Sequence, residues 1–167
     1  MQTAESAQID RLLAAARETI ATVRHCWVAT VALHGGANAR AVRAFPGGPG
    51  ADEWTRRFLC RRTSRKIAEM QCAPRVTLAY QEPAGDRYVA LIGVASVTDD
   101  PTELRSLWQG DWDALFPPGF ADANMVVAKV EVDRIEIHAR GITAEPFGHG
   151  RTWIERSDAG EWRLVPG

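Results

Sequence analysis

The residues of this chain whose types and spacing could do chemistry are concentrated between positions 56 and 74, in the stretch RRFLCRRTSRKIAEMQCAP. The pattern predicts a short strand, a turn at Thr63 and Ser64, and a helix that Pro74 stops. A helix N-terminus already carries about half a positive charge, so further cations there cost free energy unless an anion binds. Basic side chains nevertheless crowd the first half of the stretch, at Arg56, Arg57, Arg61, Arg62, Arg65 and Lys66.

Two interpretations of this basic cluster follow from the residues alone. In the first, free backbone N–H groups, the Ser64 hydroxyl and the side chains of Arg65 and Lys66 together bind a phosphate group. In the second, the arginines form a solvated face with their charged ends in water. The chain has no glycine-rich P-loop and no GxGxxG after a strand, so we do not expect the phosphate site of those nucleotide-binding folds.

The composition is typical of an ordinary globular domain. Hydrophobic residues make up 46% of the 167 residues and charged residues 25%, which predicts a single domain with its own core. The formal net charge is -1, so the basic cluster is local and a nucleic-acid partner is not expected. We see no signal-peptide pattern and no apolar run long enough to cross a bilayer, so we expect a cytoplasmic protein without membrane contact.

Hydrophobic periodicity predicts the elements that must position the basic cluster. Apolar spacings of three and four predict a helix within the N-terminal segment 1–24. Strands are predicted at 26–33, 39–45, 57–61, 75–81, 87–98 and 125–139, with a closing hairpin at 151–165. Because few crossover helices separate the strands, antiparallel pairing is favoured. The prediction is an α+β, mainly antiparallel fold over residues 1–167, a split β-barrel of six to eight strands with short flanking helices.

Several single positions carry local predictions. Gly93 lies inside a long predicted strand, which indicates a bulge or a close approach of another backbone. Asp99 or Asp100 is expected to cap a helix that begins near Pro101. Further along this segment, the tryptophans at positions 108 and 112 have the spacing of a packing pair.

Cysteine and histidine give no metal-site pattern. Cys26, Cys60 and Cys72 contain no CxxC, and we interpret them as reduced and mostly buried thiols. The pKa of Cys60 would be lowered by its arginine neighbours if the thiol were partly exposed, but a buried strand thiol is the preferred interpretation. The four histidines show no ligand spacing, so no metal ion is expected.

Three segments in order, ARAVRAF, FLCRRTSRKIAEMQCAPRVTLAYQ and DRYVALIGVASV, resemble the flavin-binding core of the pyridoxamine 5'-phosphate oxidase-like split barrels. The chain is most similar to the general stress protein branch, from about His25 to Gly167, and SLWQGDWDALFPPG resembles the middle segment of that branch. The resemblance implies a homodimer with FMN bound between the subunits. It also implies a flavoprotein that acts as an oxidoreductase on a small molecule.

The resemblance implies roles for individual residues as well. The positions that would hold the FMN phosphate are Arg40, Ser64, Arg65 and Lys66. Those that would line the flavin are Ala41, Val42, Arg43, Leu59 and Cys60. Tyr88 stands where the oxidases have a glutamine that reaches the cofactor of the other subunit. Near the end of the chain, HGR makes Arg151 a candidate flavin contact and His149 a candidate substrate contact.

The chain departs from the oxidases in the half of the site that binds the vitamin substrate. Phe45 replaces a lysine that binds the substrate phosphate, Phe147 replaces an arginine, and His138 stands in place of a flavin-facing tryptophan. Oxidation of pyridoxamine phosphate is therefore not expected. Two alternatives stay open: a non-enzymatic flavin binder for storage or stress sensing, and a split barrel that uses a deazaflavin or haem.

Overall fold

The computed structural model describes residues 4–114, 116–117, 119, 122–143 and 152–165. The helices of this part of the chain are α1 (Ala4–Thr22), α2 (Arg65–Cys72) and α3 (Pro101–Leu107), followed by a 3-10 turn (Gly110–Asp113). Its strands are β1 (Cys26–Val31), β2 (Ala37–Val42), β3 (Phe45–Pro46), β4 (Arg56–Arg61), β5 (Arg75–Gln81), β6 (Arg87–Thr98), β7 (Met125–Ala139), β8 (Thr152–Arg156) and β9 (Trp162–Val165). None of the helices described here is long and apolar enough to span a membrane.

One antiparallel sheet joins all of these strands, in the order β2-β1-β5-β6-β7-β4-β3. The long strand β7 shares one edge between two partners, because Met125–Val130 pair with β4 and Arg134–Ile137 pair with β8. Strand β9 then pairs with β8. Within the described ranges β2 and β3, at the two ends of the path, form no ladder with each other, so the sheet is not closed. The α+β split-barrel prediction is confirmed.

The described residues form nine strands, one more than the predicted upper limit of eight. The interval 39–45 was predicted as a single strand, but β2 ends at Val42 and the chain forms a separate two-residue strand at Phe45–Pro46. The alternating pattern continues through the break, so periodicity alone does not reveal it. The short strand β3 follows β2 after two residues and pairs with β4, so it holds the end of β2 near β4.

Alternation along each strand separates a buried face from an outer face. In β1, Cys26, Val28 and Thr30 are buried, and the apolar stripe of α1 contributes Leu12 and Ala16 to the same core as Cys26 and Val28. Burial of such side chains stabilises the fold by about 25 cal/mol per Å² of apolar surface. The sheet therefore presents one face to the helix and the other, with Trp27 and Val31, to the outside.

Helix α3 is fixed to the sheet by a buried arginine. Of the two predicted caps, Asp100 is the one used, since its carboxylate accepts from the backbone N–H of Thr102 at 2.8 Å. Arg57, which is 6% exposed, donates to the carboxylate of Glu103 and to Ser106 Oγ at 3.0 Å. A buried arginine that loses such a partner is costly, so this pairing sets the position of α3.

Gly93 marks a bulge, as predicted. The β6–β7 register shifts between Ile92 and Gly93, so that Gly93 lies against Val132 and Ile92 against Arg134. A Cβ at position 93 would be 2.1 Å from the carbonyl oxygen of Glu131. Only glycine allows the two backbones to approach this closely.

We predict that Gly93→Ala lowers the free energy of unfolding by about 3 kcal/mol, because the β6–β7 ladder must separate to admit the methyl group. Urea denaturation of the two proteins measures the difference. Gly110→Ala is the matched control, since a Cβ at that position meets nothing within 4 Å. Equal losses in the two variants would contradict the close-approach explanation.

Candidate functional site

A cavity of about 460 Å³ lies in the seam where the sheet does not close, between β2 and β4. Seven of the predicted cofactor-binding residues line it: Ala41, Val42, Arg43, Leu59, Cys60, Ser64 and Lys66. The other lining residues are Arg24, His25, Arg61, Asp111, Trp112 and Phe116. The fold thus gathers the end of β2, the end of β4 and the start of α2 around one cavity.

The seam leaves backbone groups available to a ligand. In the described ranges, β2 has β1 as its ladder partner on one edge, and β4 pairs with β3 only at Arg56 and Arg57. A strand edge without a partner presents N–H and C=O groups that must find other hydrogen bonds. The cavity walls therefore offer backbone donors and acceptors in addition to side chains.

The start of α2 contains a buried hydroxyl without a partner. Ser64 is the N-cap residue, but its side chain makes no capping hydrogen bond. Its Oγ is buried and has no hydrogen-bond partner among the described residues. Because buried polar atoms nearly always have partners, this orphaned hydroxyl beside free helix N–H groups fits a site that accepts an anion.

Lys66 supplies positive charge at the same place. It lines the cavity beside Ser64, and no carboxylate of the described residues lies within ion-pair distance of its ammonium group. An ammonium, a hydroxyl and helix N–H groups are the donor set that phosphate oxygens accept from. This end of the cavity can therefore hold a phosphate group.

Cys60 contributes an apolar surface rather than a reactive group. Burial raises the pKa of its thiol to about 12, against the smaller lowering effect of the charges on Lys66 and Arg40. The preferred interpretation of Cys60, a buried strand thiol, agrees with this environment. The neutral thiol lines the cavity next to Leu59.

Arg40 does not line the cavity but is bound to a buried glutamate of α2. Its Nη2 donates to Glu69 Oε2 at 2.5 Å, and Nη1 donates to Thr30 Oγ1 at 2.5 Å. Glu69 is 1% exposed and also accepts from Thr30 Oγ1 at 2.5 Å and from Asn38 Nδ2 at 2.6 Å. These hydrogen bonds, first that from Thr30 and then those from Arg40 and Asn38, lower the pKa of Glu69 to about 2. The network fastens α2 to the β1–β2 hairpin.

Two other predicted residues also lie off the cavity wall. Arg65 is exposed, and its Nε is 4.0 Å from Glu69 Oε1. Tyr88 lies in a second cavity of about 460 Å³ on the outer face of the sheet, with Trp27, Gln81 and His138 among its lining residues. The rings of Tyr88 and His138 stack with centroids 6.5 Å apart. His149 and Arg151 lie outside the described residues.

The second cavity belongs to a broad apolar surface. The β1–β2 register places Trp27 opposite Ala41, Ala29 opposite Ala39, and Val31 opposite Ala37 on the outer face. Trp27 is 57% exposed and Val31 is 49% exposed. The neighbouring strand β5 continues this face with Ala79, which pairs with Trp27. Exposed apolar side chains that lie beside alanines on neighbouring strands are typical of an interaction site.

Sequence reasoning missed the wall of the cavity that the 3-10 turn provides. Trp112 packs edge-on against Phe45 at 5.7 Å and against Trp108 at 5.9 Å, as the predicted tryptophan pair requires. Phe116 extends the group at 6.1 Å from Trp112. These aromatic residues lie about fifty positions after β4, so no local spacing connects them to the basic cluster.

The remaining lining residues were also not predicted. Arg61 is in the basic cluster itself, where it is held by Asp122 at 3.3 Å and by the ring of Phe116. Arg24 and His25 precede Cys26, whose register partner is Val42. Antiparallel pairing of the strands predicted at 26–33 and 39–45 was the available signal for these two, because such a register brings the residues before β1 beside those after β2. The described ranges contain no group of three or more His, Cys, Asp or Glu residues that could hold a metal ion.

Comparison with known proteins identifies a family that matches this chain. The family model described as pyridoxamine 5'-phosphate oxidase like matches residues 13–141. This interval includes both walls of the seam and the start of α2. No curated protein matches the chain.

Solved structures share the fold at low sequence identity. General stress protein 26 from Bacillus anthracis str. Sterne is 19% identical, with a TM-score of 0.62 over 77% of this chain and 92% of that one. A pyridoxamine 5'-phosphate oxidase-related, FMN-binding protein from Nostoc punctiforme PCC 73102 is 15% identical, with a TM-score of 0.61 over 100% of this chain and 98% of that one. A protein named F420 reductase is 20% identical, with a TM-score of 0.57 over 71% and 94% respectively.

We predict that Glu69 makes folding stability depend on pH in the acid range. A carboxyl whose pKa is about 2 when folded and 4.5 ordinarily contributes stability above pH 4.5 that is lost as the pH falls toward 2. The full loss is about 3 kcal/mol, at 1.36 kcal/mol per pKa unit. Urea denaturation between pH 6 and pH 3 should give a smaller fall for Glu69→Gln than for the unchanged protein.

The control for this experiment is Asp133→Asn, which removes an exposed carboxylate paired with Arg75 at 2.6 Å. That variant should retain the acid dependence of the unchanged protein, because exposed pairs contribute little. If Glu69→Gln and Asp133→Asn give the same pH profile, the buried network is not the origin of the dependence.

Proposed function

The chain belongs to the pyridoxamine 5'-phosphate oxidase-like family, and we propose that it binds FMN in the β2–β4 cavity and acts as a flavin-dependent oxidoreductase on a small molecule. The observation that carries the proposal is the unpartnered Ser64 hydroxyl, buried at the start of α2 beside Lys66. This donor set fits the phosphate of FMN. The FMN-binding neighbour of the same fold supports the choice of cofactor.

In this proposal the phosphate lies at the start of α2. Ser64 and Lys66 donate to it directly, together with the first N–H groups of the helix. Arg40 adds positive potential from behind the wall, since its charge, like that of Lys66, acts on the pKa of Cys60. Its guanidinium is bonded to Glu69, so we assign Arg40 the task of orienting α2. Arg65, at the exposed side of the same helix turn, adds charge at the mouth of the site.

The ring system would lie between the end of β2 and the end of β4. Ala41, Val42, Leu59 and Cys60 provide an apolar bed, and backbone groups of the unpartnered strand edges provide hydrogen bonds to the polar ring atoms. Trp112, on the opposite wall, excludes water from part of this space. Bound FMN supplies the hydride or electron chemistry, and the residues named here bind it, orient it and set the polarity around it.

We also propose that the active form is a homodimer that buries the outer face around Trp27. The face is apolar, its alanines allow close approach, and it borders the cavity because Ala41 belongs to both surfaces. A twofold axis through such a face would cover the patch with its own copy. Tyr88, in the second cavity on this face, would then approach the cofactor of the other subunit.

The experiment for the cofactor is the absorption spectrum of the purified protein, followed by mass analysis of the released cofactor. We expect a flavin spectrum and FMN. Lys66→Ala should weaken FMN binding about 10- to 100-fold, because a charge-assisted hydrogen bond contributes about 1.5–3 kcal/mol. Riboflavin, which lacks the phosphate, should bind both proteins alike, and Lys129→Ala, a substitution outside the cavity, is the matched control.

Other outcomes of this experiment decide between the cofactors. A released deazaflavin would replace FMN in the proposal, an alternative that the F420 reductase neighbour favours. A Soret band would identify haem. A colourless protein that added FMN does not stabilise against heating would remove the proposal, since a ligand of the native state raises apparent stability. Oxidation of NADH or NADPH by the FMN-loaded protein distinguishes an enzyme from a flavin-binding protein without turnover.

For the dimer, we expect Trp27→Glu to give a monomer in analytical ultracentrifugation, because a charge placed in an apolar interface must be desolvated. Binding of FMN should weaken in parallel if the second subunit completes the site. Ala14→Glu, an exposed substitution on α1, should leave the dimer intact. A monomeric unchanged protein that still binds FMN tightly would contradict the dimer proposal and leave the cofactor proposal in place.

A further inference from the structure

The cavity contains a second group of cations, apart from the start of α2. Arg43 follows the last residue of β2, and Arg24 and His25 precede the first residue of β1. Because Cys26 pairs with Val42, the antiparallel register brings these three side chains to the same end of the seam. All three line the cavity. None of them is needed for the phosphate site at Ser64 and Lys66.

The two cationic groups belong to different elements of the cavity wall. Ser64 and Lys66 lie at the start of α2, whereas Arg43 follows β2 and Arg24 precedes β1. The proposed phosphate site uses the donors of α2. Arg43 and Arg24 are therefore cations that this phosphate site leaves for another negative partner.

Among the residues that the structure describes, no carboxylate forms an ion pair with Arg24 or Arg43. Most arginines in the described ranges lie within 4.0 Å of a carboxylate, for example Arg75 with Asp133. Arg24 and Arg43 have no such partner among the described residues, and Asp111 is the one described acid that lines the cavity, against four Lys and Arg side chains. Arg61, another arginine of the cavity wall, does have a carboxylate partner, Asp122, at 3.3 Å. Arg24 and Arg43 are therefore two cations of the cavity wall without a described ion-pair partner.

Arg43 is also held in place before any ligand binds. Its guanidinium carbon lies 4.9 Å from the centre of the Phe45 ring, a cation–π contact, and Phe45 is in turn packed against Trp112. None of the described carboxylates lies within ion-pair distance of Arg43, so its N–H groups can donate to a carboxylate or phosphate of a ligand. A cation fixed by an aromatic ring on a cavity wall loses little conformational freedom when it binds an anion.

We propose that Arg43 and Arg24 bind an anionic group of the substrate, a carboxylate or a phosphate, and so select negatively charged small molecules for reaction at the cofactor. This inference rests on the proposed function and names the substrate class of the same site. Oxidised FMN has one anionic group, its phosphate, which the proposed function assigns to the start of α2, so we assign the second cationic group to the substrate. His25 lies beside the two arginines and adds a hydrogen-bond donor to the same end.

The test uses the protein saturated with FMN and a matched pair of ring compounds, benzoate and benzamide, which differ in charge and not in shape. Benzoate should perturb the flavin absorption with a saturable dependence on concentration, and benzamide should require at least tenfold more. Inorganic phosphate, which has the charge without the ring, should compete with benzoate. Arg24→Gln and Arg43→Gln should each weaken benzoate binding about tenfold or more.

Arg163→Gln is the control, because Arg163 is an exposed arginine of β9 that pairs with Glu155 at 2.8 Å, outside the cavity. It should leave benzoate binding unchanged. The inference is overturned if benzoate has no effect, if benzamide acts at the same concentration, or if benzoate binding survives in both arginine variants. These failures occur in a flavin-loaded protein, so they differ from failure of the proposed function, in which no flavin is bound.

Discussion

A carboxylate that is 1% exposed stays ionised only if donors surround it, and Glu69 has three of them on the β1–β2 hairpin. The arrangement matters because Glu69 lies on α2, five residues after Ser64. By holding the helix against the hairpin it sets the rotation of the helix, and with it the direction of the first turn. The orphaned Ser64 hydroxyl and the Lys66 ammonium face the cavity as a consequence. The first half of α2 can then carry basic side chains, because the buried Glu69 carboxylate further along the helix fixes the direction in which these side chains point.

The unclosed sheet is the second condition for the site. If β2 and β4 paired along their length, their backbone groups would bond to each other and the space between them would vanish. Instead, β4 pairs on this side with the two-residue strand β3 at Arg56 and Arg57 alone, and the buried Arg57–Glu103 pair fixes α3 beside β4. The aromatic residues that follow α3 then form the outer wall. A cavity with polar backbone edges on two sides and aromatic rings on a third is suited to a flat ring system with polar edges.

Much of the fold follows from local patterns. The bounds of β5, β6 and β7 agree with the predicted intervals. Turn-forming residues mark several of these ends, since Pro74 precedes β5 and Asp86 and Asp99 flank β6. The bulge at Gly93 also follows, since glycine inside a strand has few other reasons to occur. The break between β2 and β3 does not follow, because the alternating pattern passes through it. Local patterns thus predict elements well and the ends of paired segments less well.

The residues of the site also fall into those that local sequence patterns predict and those that they do not. The sequence predicts that residues on β2, β4 and α2 form one site because the resemblance covers contiguous motifs, and most of these residues line the same cavity. The partner of Arg40 could not, since Glu69 is 29 residues away and only the packed helix brings the two together. A charged side chain in a sequence has no visible partner, so an arginine that binds a ligand and one that binds a buried glutamate look alike. For Arg24 and Arg43, in contrast, the three-dimensional structure shows no described carboxylate partner. This local excess of positive charge argues for a negatively charged molecule in the cavity. The number of arginines in the chain does not.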